Sequence, residues 1–189
     1  MEQEQKQMKA LRKRAISVYD VVSTLVVSLL VLVVVFTFFV RVVRVDGDSM
    51  NTTLRNGDQV LLYTSGSEYR HGDIVVIDRY AVVPLVKRII AVGGDTLKIG
   101  DDGMVYLNGS MLSEPYARGM TKPKDCTETI IIPDGYVFVM GDNRMDSHDS
   151  RSSDIGLISV KDIVGKAVYR VAPFSAFGDI YTNLEHSAV

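Results

Sequence analysis

The chain has 189 residues, 21 Lys+Arg against 23 Asp+Glu for a net charge of −2, and one cysteine, Cys126. That length allows one folded domain of ordinary size plus an accessory segment. From Val45 onward 20 acidic side chains stand against 14 basic ones, which argues against a nucleic-acid partner because phosphate binding needs a basic surface. A lone cysteine excludes an intramolecular disulfide and gives no metal-binding pair, so Cys126 reads as a small buried or half-buried side chain.

In chain order, residues 1–15 form a basic tail with Lys6, Lys9, Arg12, Lys13 and Arg14. Val21 to Val40, "VVSTLVVSLLVLVVVFTFFV", is a 20-residue run without a charge. As a helix at about 1.5 Å per residue it spans roughly 30 Å, one hydrocarbon core. The run exceeds the roughly 7–15 apolar residues of a cleaved leader, and "RVVRVDGD" offers no small-x-small cleavage site. The reading is therefore a transmembrane anchor over 16–44, ahead of a folded domain at 45–189. The basic flank predicts a cytoplasmic N-terminus and an exported C-terminal domain. Asp20, at the start of the run, is tolerated by the interface and the helix dipole.

Beyond the anchor the pattern is β. Short Val-, Ile- and Tyr-rich runs at 58–64, 73–80, 85–92, 95–99, 104–112, 128–133, 136–141 and 163–171 are separated by Gly or Asp turns. Asn108-Gly109 marks a two-residue hairpin. The domain is predicted to be mostly antiparallel, a barrel or sandwich. Pro84 in "AVVPLVKRII" predicts an edge strand or a bulge, because proline cannot donate to a ladder. An edge can accept a peptide as an added strand, or the proline can simply block it. Residues 113–127, polar and irregular, are predicted to be a surface excursion.

Three stretches carry candidate chemistry. Ser49 lies in "VDGDSMNTTL" (45–54), which reads either as a linker or as a turn exposing the serine hydroxyl and N–H. A serine nucleophile needs a base. His71, His148 and His186 are the only histidines. His148 cannot form a triad with its neighbours Ser147 and Asp149, because adjacent side chains point in different directions, and each histidine reads as a surface residue. Lysine is the other choice, since burial among apolar groups can leave its amine neutral near pH 7. Lys87 is such a candidate, flanked by Leu85, Val86, Ile89 and Ile90, although a solvent-facing lysine is the commoner outcome. Strand alternation predicts that one of Lys87 and Arg88 points inward and the other outward. The third stretch, "GDNRMDSHDSR" (141–151), fits a calcium loop poorly and reads as a hydrogen-bonded loop that orients other groups.

Together an N-terminal anchor, "GDSM", "GDQV", "GDIVVI…VKRIIAVGGD" and "GDNRMDSHDSR" resemble type I signal peptidases in their Gram-positive-like form, over nearly the whole chain to about Phe174. The resemblance implies an all-β catalytic domain, a partly open barrel of antiparallel sheets, behind one transmembrane helix. It also implies a Ser/Lys endopeptidase of the bacterial plasma membrane that removes signal peptides from exported preproteins after small residues, often Ala-x-Ala. By position, Ser49 matches the nucleophile and Lys87 the general base. Ser147 matches the serine that helps position the lysine amine, Asp149 and Arg151 a structural ion pair, and Asp142, Asn143 and Arg144 the loop framework. Gly47, Asp48, Met50, Pro84, Leu85 and Val86 fall where the oxyanion and substrate strand would be held. No metal or organic cofactor is implied, and the implied partners are preproteins and the bilayer. Two departures stand out: Gly47 replaces an oxyanion serine of some members, and Thr52 replaces the usual proline. A repressor-type self-cleaving Ser/Lys protease, and a membrane-tethered β domain that only binds partners or is an inactive relative, are the alternatives.

Overall fold

The structure, a computed structural model, describes residues 1–64, 68–78 and 84–181. It comprises two compact units divided between Val40 and Arg41. The first is a single helix, α1 (Glu2–Phe39), which continues unbroken through the basic tail. Within it Ser17–Val34 is long and apolar enough to cross a membrane, and none of that window is buried in the structure. Three of its hydroxyls bond back to the helix: Ser23 and Thr24 donate to the Asp20 carbonyl at 3.0 and 2.7 Å, and Thr37 to the Val33 carbonyl at 2.7 Å. Such back-bonding lets a helix carry hydroxyls without water.

The second unit is built of short strands. They are β1 (Val40–Arg44), β2 (Gln59–Tyr63), β3 (Ile74–Ile77), β4 (Leu85–Val92), β5 (Thr96–Ile99), β6 (Val105–Leu107), β7 (Ser110–Met111), β8 (Ile130–Ile131), β9 (Tyr136–Met140), β10 (Ile158–Ser159), β11 (Ile163–Ala172) and β12 (Gly178–Asp179). The larger sheet runs β1-β2-β11-β3-β4-β9-β10 with β12 beside β11, a path whose ends do not meet, hence an open half-barrel. A smaller antiparallel sheet runs β7-β6-β5-β8. Each expected run yields a strand, while β1, β10 and β12 are additional. Val40–Arg44, inside the stretch read as anchor, form β1. Residues 79 and 80 of the expected strand 73–80, the 81–83 segment before Pro84, and His186 lie outside the described residues.

The hairpin at Asn108-Gly109 forms as its sequence requires: both residues have positive φ (53° and 80°) between β6 and β7. Pro84, in contrast, does not mark an edge strand. It sits just ahead of β4, which lies inside the sheet between β3 and β9. Only the C-terminal part of β4 pairs with β9, beginning at Arg88↔Met140, with a bulge between Ile89 and Ala91. Leu85, Val86 and Lys87 pair with β3 alone among the described residues. Ile89 exchanges backbone bonds with Asp73 and Gly72 on the β3 side, so alternation turns the Val86 N–H and C=O away from β3. The strand is interior at one end and open on one side at the other.

Three apolar clusters fill the unit. One joins Val45, Met50 and Leu54 of the turn after β1 to Val60, Leu62, Ile74, Val76 and Val86. A second packs Val75, Ile77 and Ile89 against Val137 and Val139, and a third fills the space between the two sheets around Ile90, Leu97, Phe138 and Met140. Both faces of β4 are thereby covered. This corrects the expectation that one of Lys87 and Arg88 faces outward: they are 3% and 0% exposed.

Candidate active site

Ser49 is carried by a turn that its own neighbours fix. Met50 and Leu54 are buried in the first cluster, and the Leu54 N–H donates to the Met50 carbonyl at 2.8 Å. The Met50 side chain is therefore a packing anchor under the turn. Gly47 has φ +87°, with no atom near the place a Cβ would occupy, so glycine is required there by the backbone conformation. Its N–H donates to Asn56 Oδ1 at 3.3 Å.

Lys87 Nζ lies 2.6 Å from Ser49 Oγ. The lysine reaches it from the open end of β4, opposite Val75 of β3. Burial lowers its pKa to about 8, with Arg151 and Lys124 pushing in the same direction and Asp149 and Asp142 opposing. At pH 7 about a tenth of such an amine carries a free lone pair able to accept the serine proton, and about half does at pH 8.

The loop after β9 surrounds this pair. Ser147 Oγ donates to Asp149 Oδ2 at 2.6 Å, as does the Gly141 N–H at 3.0 Å. Arg151 grips the same carboxylate from the other side, Nε to Oδ1 and Nη2 to Oδ2, both at 2.8 Å. Burial alone would raise the Asp149 pKa, but Arg151 and the hydrogen bonds from Ser147 and Gly141 outweigh it and hold the carboxyl below its ordinary range. Asn143 ties the loop to the serine turn: its N–H donates to the Ser49 carbonyl at 2.9 Å and its Nδ2 to the Asp48 carbonyl at 3.1 Å.

Asp142 faces a different partner. It accepts from Arg88 Nε at 2.8 Å and Nη2 at 2.7 Å, and from Thr53 Oγ1 at 2.5 Å. Arg170 holds the Thr53 carbonyl. Thr53 thus has its hydroxyl fixed from the loop after β9 and its carbonyl from β11, which answers how the turn stays rigid with Thr52 in place of a proline. Arg144 forms a two-pronged pair with Glu114 at 2.6 and 2.8 Å and also donates to Thr121 at 2.6 Å. Tyr116 is 7% exposed, with the Arg88 guanidinium 4.0 Å above its ring. The 113–127 segment is therefore no simple surface excursion but a brace for the site loop.

Of the candidate residues, Ser49 and Lys87 form one hydrogen-bonded group and Ser147, Asp149 and Arg151 a second; Asn143 ties the loop of the second to the turn of the first, and Asp142 and Arg144 brace that loop. Pro84, Leu85 and Val86 line the open side of β4. His148 pairs with Asp154 at the surface, and His71 meets the Ile90 carbonyl. Glu114, Tyr116 and Arg88 were not predicted as site residues, because their partners lie far off in sequence. Gly141 was passed over as well. A Cβ there would collide with Ser147 Oγ and the Ser49 carbonyl, so the serine turn and the loop approach each other over a bare Cα. Gly141→Ala is expected to cut activity by roughly 100-fold, since a displacement of about 1 Å can cost that much. Turnover of the purified variant, compared at equal folded fraction, checks this.

The family model for "Signal peptidase, peptidase S26" matches residues 18–172. The chain belongs to this family. Signal peptidase I of Bacillus licheniformis is 33% identical over 171 residues, covering 84% of this chain and 91% of its own. Signal peptidase IB of Staphylococcus aureus (strain N315) is 33% identical over 174 residues, covering 82% and 89%. A crystal structure of a signal peptidase I from Enterococcus faecalis V583 is 29% identical, covers 54% of this chain and 98% of its own, and superposes with a TM-score of 0.43. Membership of the S26 family places the chain among peptidases, with a single apolar N-terminal helix ahead of its sheet unit.

Proposed function

We propose that this chain is a type I signal peptidase: a serine endopeptidase in which Ser49 attacks and Lys87 is the general base. The observation that carries this reading is the 2.6 Å approach of a buried lysine amine to a serine hydroxyl. Neutral Lys87 takes the Ser49 proton as Oγ attacks the scissile carbonyl. The resulting ammonium then protonates the departing amine, leaving an acyl-enzyme. A water deprotonated by the same amine hydrolyses the ester and regenerates Ser49. The Ser49 N–H is one donor to the oxyanion.

The substrate is a preprotein whose signal peptide ends in small residues, Ala-x-Ala-like, lying extended along the open side of β4. The Val86 N–H and C=O would pair with it, in the manner of an added strand. Residues 1–15 face the cytoplasm of a bacterial cell, the helix from residue 16 to Phe39 crosses the plasma membrane, and the sheet unit from β1 onward works outside it. Only eight residues separate Val40 from Ser49. Holding enzyme and precursor in one bilayer raises their effective concentration.

The test is cleavage of a full-length preprotein with an Ala-x-Ala site by the intact chain in lipid vesicles, beside Ser49→Ala. The expected product starts at the residue after the second alanine and is absent with Ser49→Ala; equal cleavage by Ser49→Ala would overturn the reading. The pH dependence is a separate expectation. With the Lys87 pKa at about 8, the active form is the deprotonated one and kcat falls toward acid. Between pH 8 and pH 6 the neutral fraction drops roughly 50-fold, and a profile flat over that range would exclude Lys87 as base.

A further inference from the structure

Behind the loop that carries Ser147 and Asp149, the 122–126 segment runs alongside 147–153. The Asp125 N–H donates to the Arg151 carbonyl at 3.1 Å, and the Ser153 N–H donates back to Asp125 Oδ2 at 2.8 Å. Arg151 Nη1 donates to the Lys122 carbonyl at 3.3 Å, and Cys126 Sγ contacts the Ser150 and Arg151 carbonyls at 3.6 and 3.5 Å. At the centre of this seam sits Lys124. Its backbone has φ +54°, one of two non-glycine residues with positive φ among the described residues. The other, Asn108, is explained by its hairpin. An L-residue with a long side chain is strained in that region. The conformation delivers the Lys124 ammonium to the Ser147 carbonyl at 2.7 Å, with Ser152 Oγ at 3.4 Å.

We propose that Lys124 is a positioning residue for the base: its ammonium pins the Ser147 carbonyl and so holds the Ser147–Asp149–Arg151 chain in register beside Lys87. The inference rests on the Ser49/Lys87 reading and adds a second lysine to it. A carbonyl held by a charged donor is fixed more strongly than one held by a neutral group. The Ser147 side chain leaves the same residue and bonds to Asp149, so its direction follows from where that peptide is held.

The charge matters as well as the bond. Asp149 and Asp142 favour the protonated form of Lys87, while Arg151 and Lys124 disfavour it. The other elements against Lys87 present Val75 from β3 and the uncharged Ser49. Arg151 is committed to Asp149 through two bonds, leaving Lys124 as the cation whose own contacts are neutral oxygens. Its loss would make the Lys87 ammonium easier to form, so activity would require a higher pH.

The experiment compares Lys124→Met and Lys124→Arg with the unmodified chain in vesicles, measuring kcat, KM and the acidic limb of kcat on the preprotein. Lys124→Met is expected to lower kcat roughly 10- to 100-fold with KM unchanged and to move the acidic limb to higher pH. Lys124→Arg, which keeps a cationic donor, restores most of both. Should Lys124→Met fold poorly, Lys124→Gly serves instead, since glycine removes the amine while relieving the positive φ. Unmodified kcat and limb in Lys124→Met, or an equal loss in Lys124→Arg at equal folded fraction, would overturn the inference. Lys87→Ala is assayed alongside: if it stays active, the Ser49/Lys87 reading itself has failed, whereas inactive Lys87→Ala with unaffected Lys124→Met removes only the role of Lys124.

Discussion

Lys87→Met is expected to lower kcat by roughly four orders of magnitude or more and at the same time to make the folded domain more stable. Both effects come from the same burial. Lys87 is 3% exposed and its pKa is lowered to about 8, so the folded chain resists the ammonium that the unfolded chain carries freely. Between about 8 and the ordinary lysine value of 10.5, the unfolded state binds more protons. Stability therefore rises with pH across that window, and below it the full cost of the buried charge remains. Methionine fills similar space without a charge, so at pH 7 it should stabilise the fold by on the order of 1–3 kcal/mol. Urea denaturation read beside turnover separates the two effects. Inactivity caused by damage would bring a lower midpoint, and inactivity caused by loss of the base a higher one.

Asp142→Ala should produce the largest loss of stability in the sheet unit. Arg88 and Asp142 are both 0% exposed, and two of the guanidinium bonds end on that carboxylate. Removing it leaves a buried cation with the Gly72 carbonyl, a long 3.5 Å contact to Thr53 Oγ1 and the Tyr116 ring beside it, and no counter-charge among these. Breaking a buried pair from one side costs about 3–5 kcal/mol. Thr53 loses its acceptor too, so the turn bearing Ser49 should loosen and activity should fall beyond what the unfolded fraction accounts for. Replacing both partners by apolar residues of similar volume should recover much of the stability but not the activity. A cost for Asp142→Ala under about 1 kcal/mol would mean that the pair behaves as a surface bridge.

How much of this was legible in the sequence depended on distance along the chain. The apolar helix and the strands were readable because each depends on local pattern: an uncharged run for α1, and Val/Ile-rich segments closed by Gly and Asp turns for the sheets. Asn108-Gly109 is the clearest case, since a two-residue turn dictates its own residues. The serine, the lysine and the final loop were legible as separate stretches, and the order of motifs led to the expectation that they meet; Lys87 Nζ lies 2.6 Å from Ser49 Oγ. The failures share a cause. Pro84 was read as a property of a whole strand, but β4 is paired by β9 along only part of its length, which no local signal reveals. Arg88 was expected to face outward if Lys87 faced inward, because alternation gives opposite faces without saying whether both are covered. Residues 113–127 looked like solvated loop because their polar groups find partners about 23 to 30 residues away, as Glu114 does in Arg144 and Lys124 in Ser147. A polar stretch at a site and a polar stretch in water have the same composition. They differ only in what lies opposite.

The central claim is that Lys87 stands beside Ser49 as an amine with a depressed pKa. It is tested most directly by NMR titration of the lysine side-chain nitrogens in the folded chain, with Lys87→Met used to assign the resonance. One lysine should titrate with a midpoint of about 8, and its signal should vanish in the variant. A Lys87 resonance that stays protonated up to the ordinary lysine range of about 10.4 would contradict the account.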